Sequence, residues 1–418
     1  MEIIWHWGDL EELRARSGAT PWVLVEATKH EVLVSPIFDA GLQGCFDCYL
    51  RRRLSTGALG LSWISEIGLN HFDLVKSLVS ESTRLLAGAV SVAEDGSTSA
   101  HRLLPVPGCP CWHRAPRIST WDTLTSLVNP FLGVVPHFQE TRPARLNMKA
   151  VITYGTNTAF IFGRRAANVG LAADWSVAGA RRRAAAESVE RYCAAFVPPQ
   201  TIAGGDNLGV PGRRWGTGAD VRGRETDIYF PFTGTSAKHI QTSEGLATGD
   251  SIESATEHAC AELIERDTLI TSWQQLSGWR RHRRKGDMHL TDLQGPLGWN
   301  ISVAWVLRSE MPYLVMGIAA RRDAIAAQES AIKELACIEA FASEIGSGPA
   351  FGIELLSRRL REQEREAVRF SQFLSFSNST RIREAPPDFD VFDVTTEDIR
   401  NAGWAVVRAL RTSRIEME

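Results

Sequence analysis

Two stretches of the chain carry the same acidic and basic spacing, Glu187-x-x-Glu190-Arg191 and Glu262-x-x-Glu265-Arg266. On a helix, residues three apart share a face, with Cβ atoms about 5–6 Å apart. Two neighbouring carboxylates repel one another, and a bound cation turns that repulsion into affinity. Hard divalent ions such as Mg2+ take oxygen ligands and bridge a few carboxylates to substrate phosphates. Arg191 and Arg266 follow directly, and a guanidinium suits phosphate oxygens. Just before the second stretch, Gly245-Leu246-Ala247-Thr248-Gly249 is expected to expose backbone N–H groups at a helix start, where anions bind. A plainer reading stands beside this one. Glu187 has Arg183 and Arg191 as i,i+4 partners, so ExxER is also the pattern of an ion-paired helix face. Spacing alone points first to the ion-paired face, and the repetition of the motif in two equivalent helices weighs against it.

The cysteines supply a second chemistry. Of seven, Cys45 and Cys48 form C-x2-C, and Cys109 and Cys111 form C-x-C around a proline. Short-spaced pairs in a reducing compartment indicate metal rather than disulfide. Four thiolates from two tight turns fit tetrahedral structural zinc, with His113 as an alternative to one thiol; the competing reading is two unrelated turns with free thiols. Cys193, Cys260 and Cys337 lie in small-residue helical patterns, where a buried inert thiol is expected.

Several elements must position these groups. Strand-like runs are Trp22–Glu26, Glu31–Ser35, Val151–Tyr154, Ala159–Phe162, Asp227–Phe232, Asn300–Leu307, Tyr313–Ala319 and Gly403–Ala409. Residues 67–90 have a helical period, and Arg280–Lys285 (RRHRRK) reads as a solvated loop. Three helices, Ala178–Phe196, Glu253–Ile270 and Ile325–Ala342, share a small-residue face. Glu187, Glu262 and Glu334 head their matched positions, 75 and then 72 residues apart. Each is preceded by strand-rich sequence, so a repeated strand-and-helix unit is the simplest account. The prolines at 105, 107, 110 and 116 place a boundary near residue 118. The expected fold is α/β (α+β), with a segment 1–117 that holds the cysteines and a segment 118–418 that holds the carboxylates.

Composition narrows the function. A net charge of −3 over 418 residues argues against a dedicated nucleic-acid binder. No apolar run reaches the roughly 20 residues that span a bilayer, and the acidic start lacks an export signal. The expectation is a cytoplasmic protein with no membrane and no nucleic-acid partner.

At these residues the chain resembles the YcaO family, from about 121 to 410. LVNPFLGVVP (Leu127–Pro136), ESVERY (Glu187–Tyr192), SEGLATGDSIESA (Ser243–Ala255) with AELIERD (Ala261–Asp267), and the helix around Glu334 occur in the family's order. The resemblance implies ATP and Mg2+ among these helices. Glu187, Glu190, Glu262 and Glu265 would be metal-site carboxylates with the catalytic role. Arg266 would contact the nucleotide phosphates, with Ser243 and Asp250 lining the pocket and Arg191 and Glu334 beside it. Residues 1–117 look like the tail of the ThiF-like cyclodehydratase partner with its zinc knuckle (Cys45, Cys48, Cys109, Cys111), without that partner's leader-binding front. The arrangement resembles split thiazole/oxazole-forming, thiopeptide-type cyclodehydratases.

What this implies is azoline formation from Cys, Ser or Thr in a ribosomal precursor peptide. It would proceed with a separate ThiF-like leader-binding protein, an azoline dehydrogenase downstream, and a homodimer inside a hetero-oligomer. Alternatives are a degenerate YcaO scaffold in a peptide-modifying synthetase, or thioamide or amidine formation. The chain departs from the usual pattern at Asn168-Val169-Gly170, where the family often has Gly-Lys-Gly. It departs again at Arg183, at Ser254, at Cys337 after the third helix's Glu334, and at a C-terminus without the proline-rich ending.

Overall fold

The computed structural model describes residues 1–5, 20–27, 31–39, 45–56, 69–80, 88–111, 127–141, 147–156, 168–198, 209–229, 243–276, 280–341, 362–376 and 388–412, with Leu13, Arg16, Leu85, Leu124 and Gly278. The fold is mixed α/β, as the sequence indicates. It divides into two compact units, one of Met1–His137, Tyr154–Asn168 and Thr396–Trp404, the other of Phe138–Thr153, Val169–Thr395 and Ala405–Glu418.

The first unit is built on a five-stranded sheet in sequence order: β1 (Glu2–Ile4), β2 (Trp22–Ala27), β3 (Glu31–Val34), β4 (Gly88–Ala93) and β5 (Thr98–Arg102). The runs WVLVE and EVLV are apolar on both faces because helices cover both. Val23, Val25, Val32, Val34, Val90 and Val92 pack with Val75, Leu78 and Val79 of α2 (Leu69–Ser80). On the opposite face Trp22, Leu24, Leu33 and Ala89 meet Phe46, Tyr49 and Leu50 of α1 (Phe46–Ser55). Two arginines of α1 are fully buried and matched by acids. Arg53 donates to Glu26 through Nε and Nη2, the latter at 2.9 Å. Arg52 donates to Asp398, which arrives on a short helix Glu397–Asn401. Removing one partner of such a pair typically costs about 3–5 kcal/mol, because the other charge stays buried alone.

The second unit holds three sheets, each ending in an edge strand. The first runs β6 (Phe138–Thr141), β7 (Lys149–Tyr154), β8 (Val169–Asp174). The second, of five strands, contains β9 (Val210–Arg214), β10 (Asp220–Gly223), β16 (Phe389–Asp393) and β17 (Ala405–Arg411), and ends on β11 (Leu246–Gly249). The third runs β12 (Arg280–Lys285), β13 (Met288–Gln294), β14 (Asn300–Leu307), β15 (Leu314–Arg321). A long helix follows each of β8, β11 and β15: α3 (Val177–Ala194), α4 (Ile252–Gln274) and α5 (Ala324–Phe341). Ser176 and Ser251 cap α3 and α4 by accepting from Gly179 N and Ser254 N. A further helix, α6 (Glu364–Ser375), packs Phe370, Phe373 and Leu374 into the core around α4 and β13–β15.

Several elements differ from the expectation. RRHRRK is strand β12, paired with β13 across the two-residue loop Gly286-Asp287, and its charges sit on an edge strand where solvation is retained. Gly245–Gly249 is not a helix start: Leu246–Gly249 pairs antiparallel with Ala405–Arg408. Of the expected strand Asp227–Phe232, Asp227 and Ile228 lie in a helical turn, Glu225–Ile228, and residues 230–232 lie outside the described residues. The helical period of 67–90 ends at Ser80, with Gly88 already in β4. The run Ala159–Phe162 and the whole 112–123 boundary region, His113 included, lie outside the described residues.

Small residues bring each helix against its strand. A Cβ on Gly170 would stand 1.9 Å from the Ala184 carbonyl oxygen, and one on Gly317 would stand 2.2 Å from Leu335 N. Gly170→Ala and Gly317→Ala are each expected to destabilise the protein by about 1–3 kcal/mol through overpacking. Urea unfolding checks this, and wild-type midpoints would show that the strands can move away from the helices.

Candidate functional site

The three strand–helix pairs are joined by carboxylates. Leu171 N donates to Glu187 Oε2 at 2.5 Å, Gly245 N to Glu262 Oε2 at 2.9 Å, and Ile318 N to Glu334 Oε2 at 2.9 Å. A helix glutamate thus binds the strand that precedes its own helix at Leu171 and Ile318, and the residue just before that strand at Gly245. The second glutamate of each motif reaches onward to the next unit's strand. Thr248 N donates to Glu190 Oε1 at 2.8 Å, and Ala320 N to Glu265 Oε2 at 2.9 Å. So α3 is tied to β11 and α4 to β15. The circuit closes differently at α5, which packs Ala336 and Cys337 against Val169, Leu171 and Ala173 of β8. Lys333 Nζ of α5 also pairs with Asp174 Oδ2 at 2.8 Å. Cys337 stands three residues after Glu334, the place held by Glu190 and Glu265 in the other helices.

The arginines divide in role. Arg191, 4% exposed, donates to Glu187 and to the Val169 carbonyl, so it fastens α3 to β8. Arg266 donates through Nη2 to Glu262, while its Nη1 is sealed from solvent, has no hydrogen-bond partner among the described residues and lies 3.8 Å from Glu244. The ion-paired reading of ExxER is therefore realised for the first glutamate and the arginine of each motif, in a partly buried setting. Glu190, Glu265 and Glu334 differ: each has one oxygen on a strand N–H, and the other makes no hydrogen bond among the described residues.

Burial and mutual repulsion act on these acids. Glu190 is pushed up to about 8, chiefly by burial and then by Glu187. Glu334 is pushed up to about 7 by burial, with Glu262 adding to it. Glu265, only 8% exposed, is held well above the usual carboxylate range by burial and by Glu334, and burial raises Glu262. Burial opposes the charge of Arg266, but Glu262, Glu244, Glu265 and Glu334 outweigh it. Cys337, buried beside Glu187 and Glu334, is pushed above the ordinary thiol range. Carboxylates so disfavoured as anions gain when a cation arrives, and an all-oxygen donor set suits a hard ion. Among the described residues no three of these carboxylates gather their oxygens within 4.8 Å, so the set suits ions shared with a phosphate better than a closed all-protein cage. The sealed Nη1 of Arg266 is a donor suited to that phosphate. Ser243 is half-buried in the turn that precedes β11, its carbonyl accepting from Leu246 N, and Asp250 is exposed beside the cap of α4.

The cysteines form a separate centre in the first unit. Cys45, Cys48, Cys109 and Cys111 place their sulfurs within 4.8 Å of one another. Cys45 and Cys109 are 3.5 Å apart, and Cys48 and Cys111 3.3 Å, too long for disulfides. Zinc–sulfur bonds of about 2.3 Å in a tetrahedron separate the sulfurs by roughly 3.8 Å, so the cluster is compatible with a zinc knuckle.

Two features of the site escaped the sequence reading. Gly170 and Gly317, one residue before N–H donors, admit the close approach, and their place in the repeat was a usable signal. Arg408, buried on β17 with Glu262 and Glu244 acting on its charge, lies in the run AVVRALR and carried no signal at all.

Residues 205–281 match the family model "YcaO cyclodehydratase, ATP- and Mg2+-binding", a segment that includes Ser243, Glu262, Glu265 and Arg266. No curated protein matches the chain. A heterocyclase solved in complex with substrate and cofactor shares the fold at TM-score 0.66 and 15% identity, over 97% of this chain and 75% of that one. YcaO from Methanopyrus kandleri, bound with AMPPCP and Mg2+, aligns at TM-score 0.51 and 17% identity over 66% of this chain and 85% of its own. The heterocyclase TruD aligns at TM-score 0.54 and 15% identity over 96% and 70%. The matched segment carries the YcaO signature, and the described residues share the fold of these solved structures.

Proposed function

We propose that the chain is an ATP-dependent cyclodehydratase subunit that converts Cys, or Ser and Thr, of a ribosomal precursor peptide to azolines. The observation that carries this reading is the set of raised carboxylates at half-buried Glu190 and Glu334 and buried Glu265, each with one oxygen uncommitted, beside a sealed guanidinium donor on Arg266. The chemical difficulty is that an amide oxygen is a poor leaving group. The thiol of a substrate Cys gives up its proton and attacks the preceding carbonyl carbon, closing the ring. The resulting oxyanion takes the γ-phosphoryl group of ATP and ADP leaves. Phosphate then departs with that oxygen as the ring nitrogen loses its proton and the C=N bond forms. Mg2+ supplies charge neutralisation and alignment for the phosphates when bound. Glu190, Glu265 and Glu334 would hold it, Glu187 and Glu262 keep the strands in register, and Arg266 offers Nη1 to a phosphate oxygen. Ser243 and Asp250 stand at the turn and cap beside α4, where the pocket is assigned.

Segment 1–117 is assigned as a ThiF-like remnant with structural zinc, and 118–418 as the catalytic segment. The partners follow from the reaction: a precursor peptide, a ThiF-like leader-binding protein, an azoline dehydrogenase, and a second copy of the chain within the complex. A scaffold role is the second reading, favoured by Cys337 in place of a third paired carboxylate. Failure of the full chain and its partner to bind ATP would select it. No helix among the described residues is long and apolar enough to cross a membrane, and the assignment is to the cytoplasm.

Three outcomes follow. Glu190→Gln keeps an oxygen for Thr248 N but removes the charge. With partner, peptide, ATP and Mg2+, mass spectrometry should find no loss of water from the peptide, while the variant melts no lower than wild type at pH 8. A dehydrated product would remove Glu190 from the reaction. Because the folded protein holds Glu190 near 8 and Glu334 near 7, above their unfolded values, protonation stabilises the fold. The Mg2+-free protein should therefore lose thermal stability as pH rises from about 5 through 8, and Mg2+ should restore more of it at the higher pH. A flat profile contradicts the electrostatics. Metal analysis should find one zinc per chain in the wild type and none in Cys48→Ser; equal zinc in both would assign it elsewhere.

A further inference from the structure

Arg408 lies in the interior of the five-stranded sheet, opposite Leu246 of β11 on one side and Phe392 of β16 on the other. It is 6% exposed, and its Nε and Nη1 are sealed from solvent without a hydrogen-bond partner among the described residues. Four charged groups act on it: Glu262 and Glu244 attract, Arg266 and Arg411 repel. Both acids already serve other arginines. Glu262 accepts from Arg266, and Glu244 accepts from Arg411 Nη2 at 2.8 Å, while Arg411 Nε also holds Asp267 at 2.7 Å. Burial depresses the basicity of Arg408 to about 10, so it remains a cation at neutral pH. A buried guanidinium with unspent donors is costly to keep, and replacement by an apolar side chain of similar volume is commonly neutral or stabilising. Such a liability is expected at functional positions rather than structural ones. The neighbouring Arg266 Nη1 is in the same condition.

We propose that Arg408 is an anion ligand of the carboxylate site, and that with Arg266 it donates to phosphate oxygens of the nucleoside triphosphate. This rests on the nucleotide reading above. The donors are fixed by the sheet before the ligand arrives, so binding requires little reorganisation of the backbone. The occupant is a polyphosphate carrying enough oxygens to satisfy two guanidinium groups while its charge is shared with cations held by the acids.

The test uses the full chain with Mg2+, comparing wild type, Arg408→Met and Arg408→Lys by thermal melting and by titration with ATP and with inorganic tripolyphosphate. Arg408→Met should melt at or above wild type without ligand, yet bind both polyphosphates roughly 10- to 100-fold more weakly, the size of a lost charge-assisted hydrogen bond. Arg408→Lys should fall between the two. Wild-type affinity in Arg408→Met overturns the inference and leaves the nucleotide reading intact, whereas a lowered ligand-free midpoint assigns Arg408 a structural role and overturns it. Wild-type protein that takes tripolyphosphate but not ATP, with the binding lost in Arg408→Met, supports the anion ligand and removes the nucleotide reading. Wild type that binds neither defeats both.

Discussion

The second unit depends on carboxylates that capture the outward N–H groups of edge strands. β8, β11 and β15 each end a sheet, and an edge strand leaves donors that something must satisfy. Here the acceptors are Glu187, Glu190, Glu262, Glu265 and Glu334. The same oxygens that finish the sheets therefore deliver acidic groups to one place. Each glutamate of a pair has a different strand, so the motif spacing of three residues is also the pitch at which one helix bridges two sheets. Geometry of this kind makes the acids hard to lose separately, because each is both a joint and a charge.

That arrangement also explains the electrostatics. An acid that must reach a backbone donor inside the unit is desolvated, and it meets other acids doing the same. Glu190 and Glu334 are pushed toward neutral pH for this reason. The two motif arginines relieve part of the strain, and they do so at the first glutamate of each motif, where the helix returns to its own strand. The second glutamates are left with burial uncompensated by any hydrogen-bonded cation, which makes them the acids a metal would serve best.

Much of this was legible in the chain. The three helices announced themselves by small-residue faces and matched glutamates, and the apolar runs Asn300–Leu307 and Trp22–Glu26 read as strands because they are buried on both sides. The four-cysteine cluster followed from local spacing. What stayed hidden was tertiary. β8 (VGLAAD) and β11 (LATG) are short and rich in small residues, so nothing in their composition favours extended structure. β12 is almost wholly basic, and only its register with β13 makes it a strand, although the Gly286-Asp287 pair was a turn signal. The onward reach of Glu190 and Glu265 is a relation between units 58 and 55 residues apart, beyond any local pattern.

The first unit is assembled from pieces of the chain that lie far apart. Arg52, fully buried, has its counter-ion on Asp398, and 346 residues of polypeptide separate the two. Residues near Asn168 belong to the same unit, where the Asn168 side chain donates to the Thr156 carbonyl. The cysteine-bearing module is consequently not a cassette that one cut can release. A shortened gene that stopped after the second cysteine pair would strand a charged guanidinium in an apolar interior. Recombination that moves this module between proteins has to carry its distant segments along or rebuild the counter-charge from new sequence.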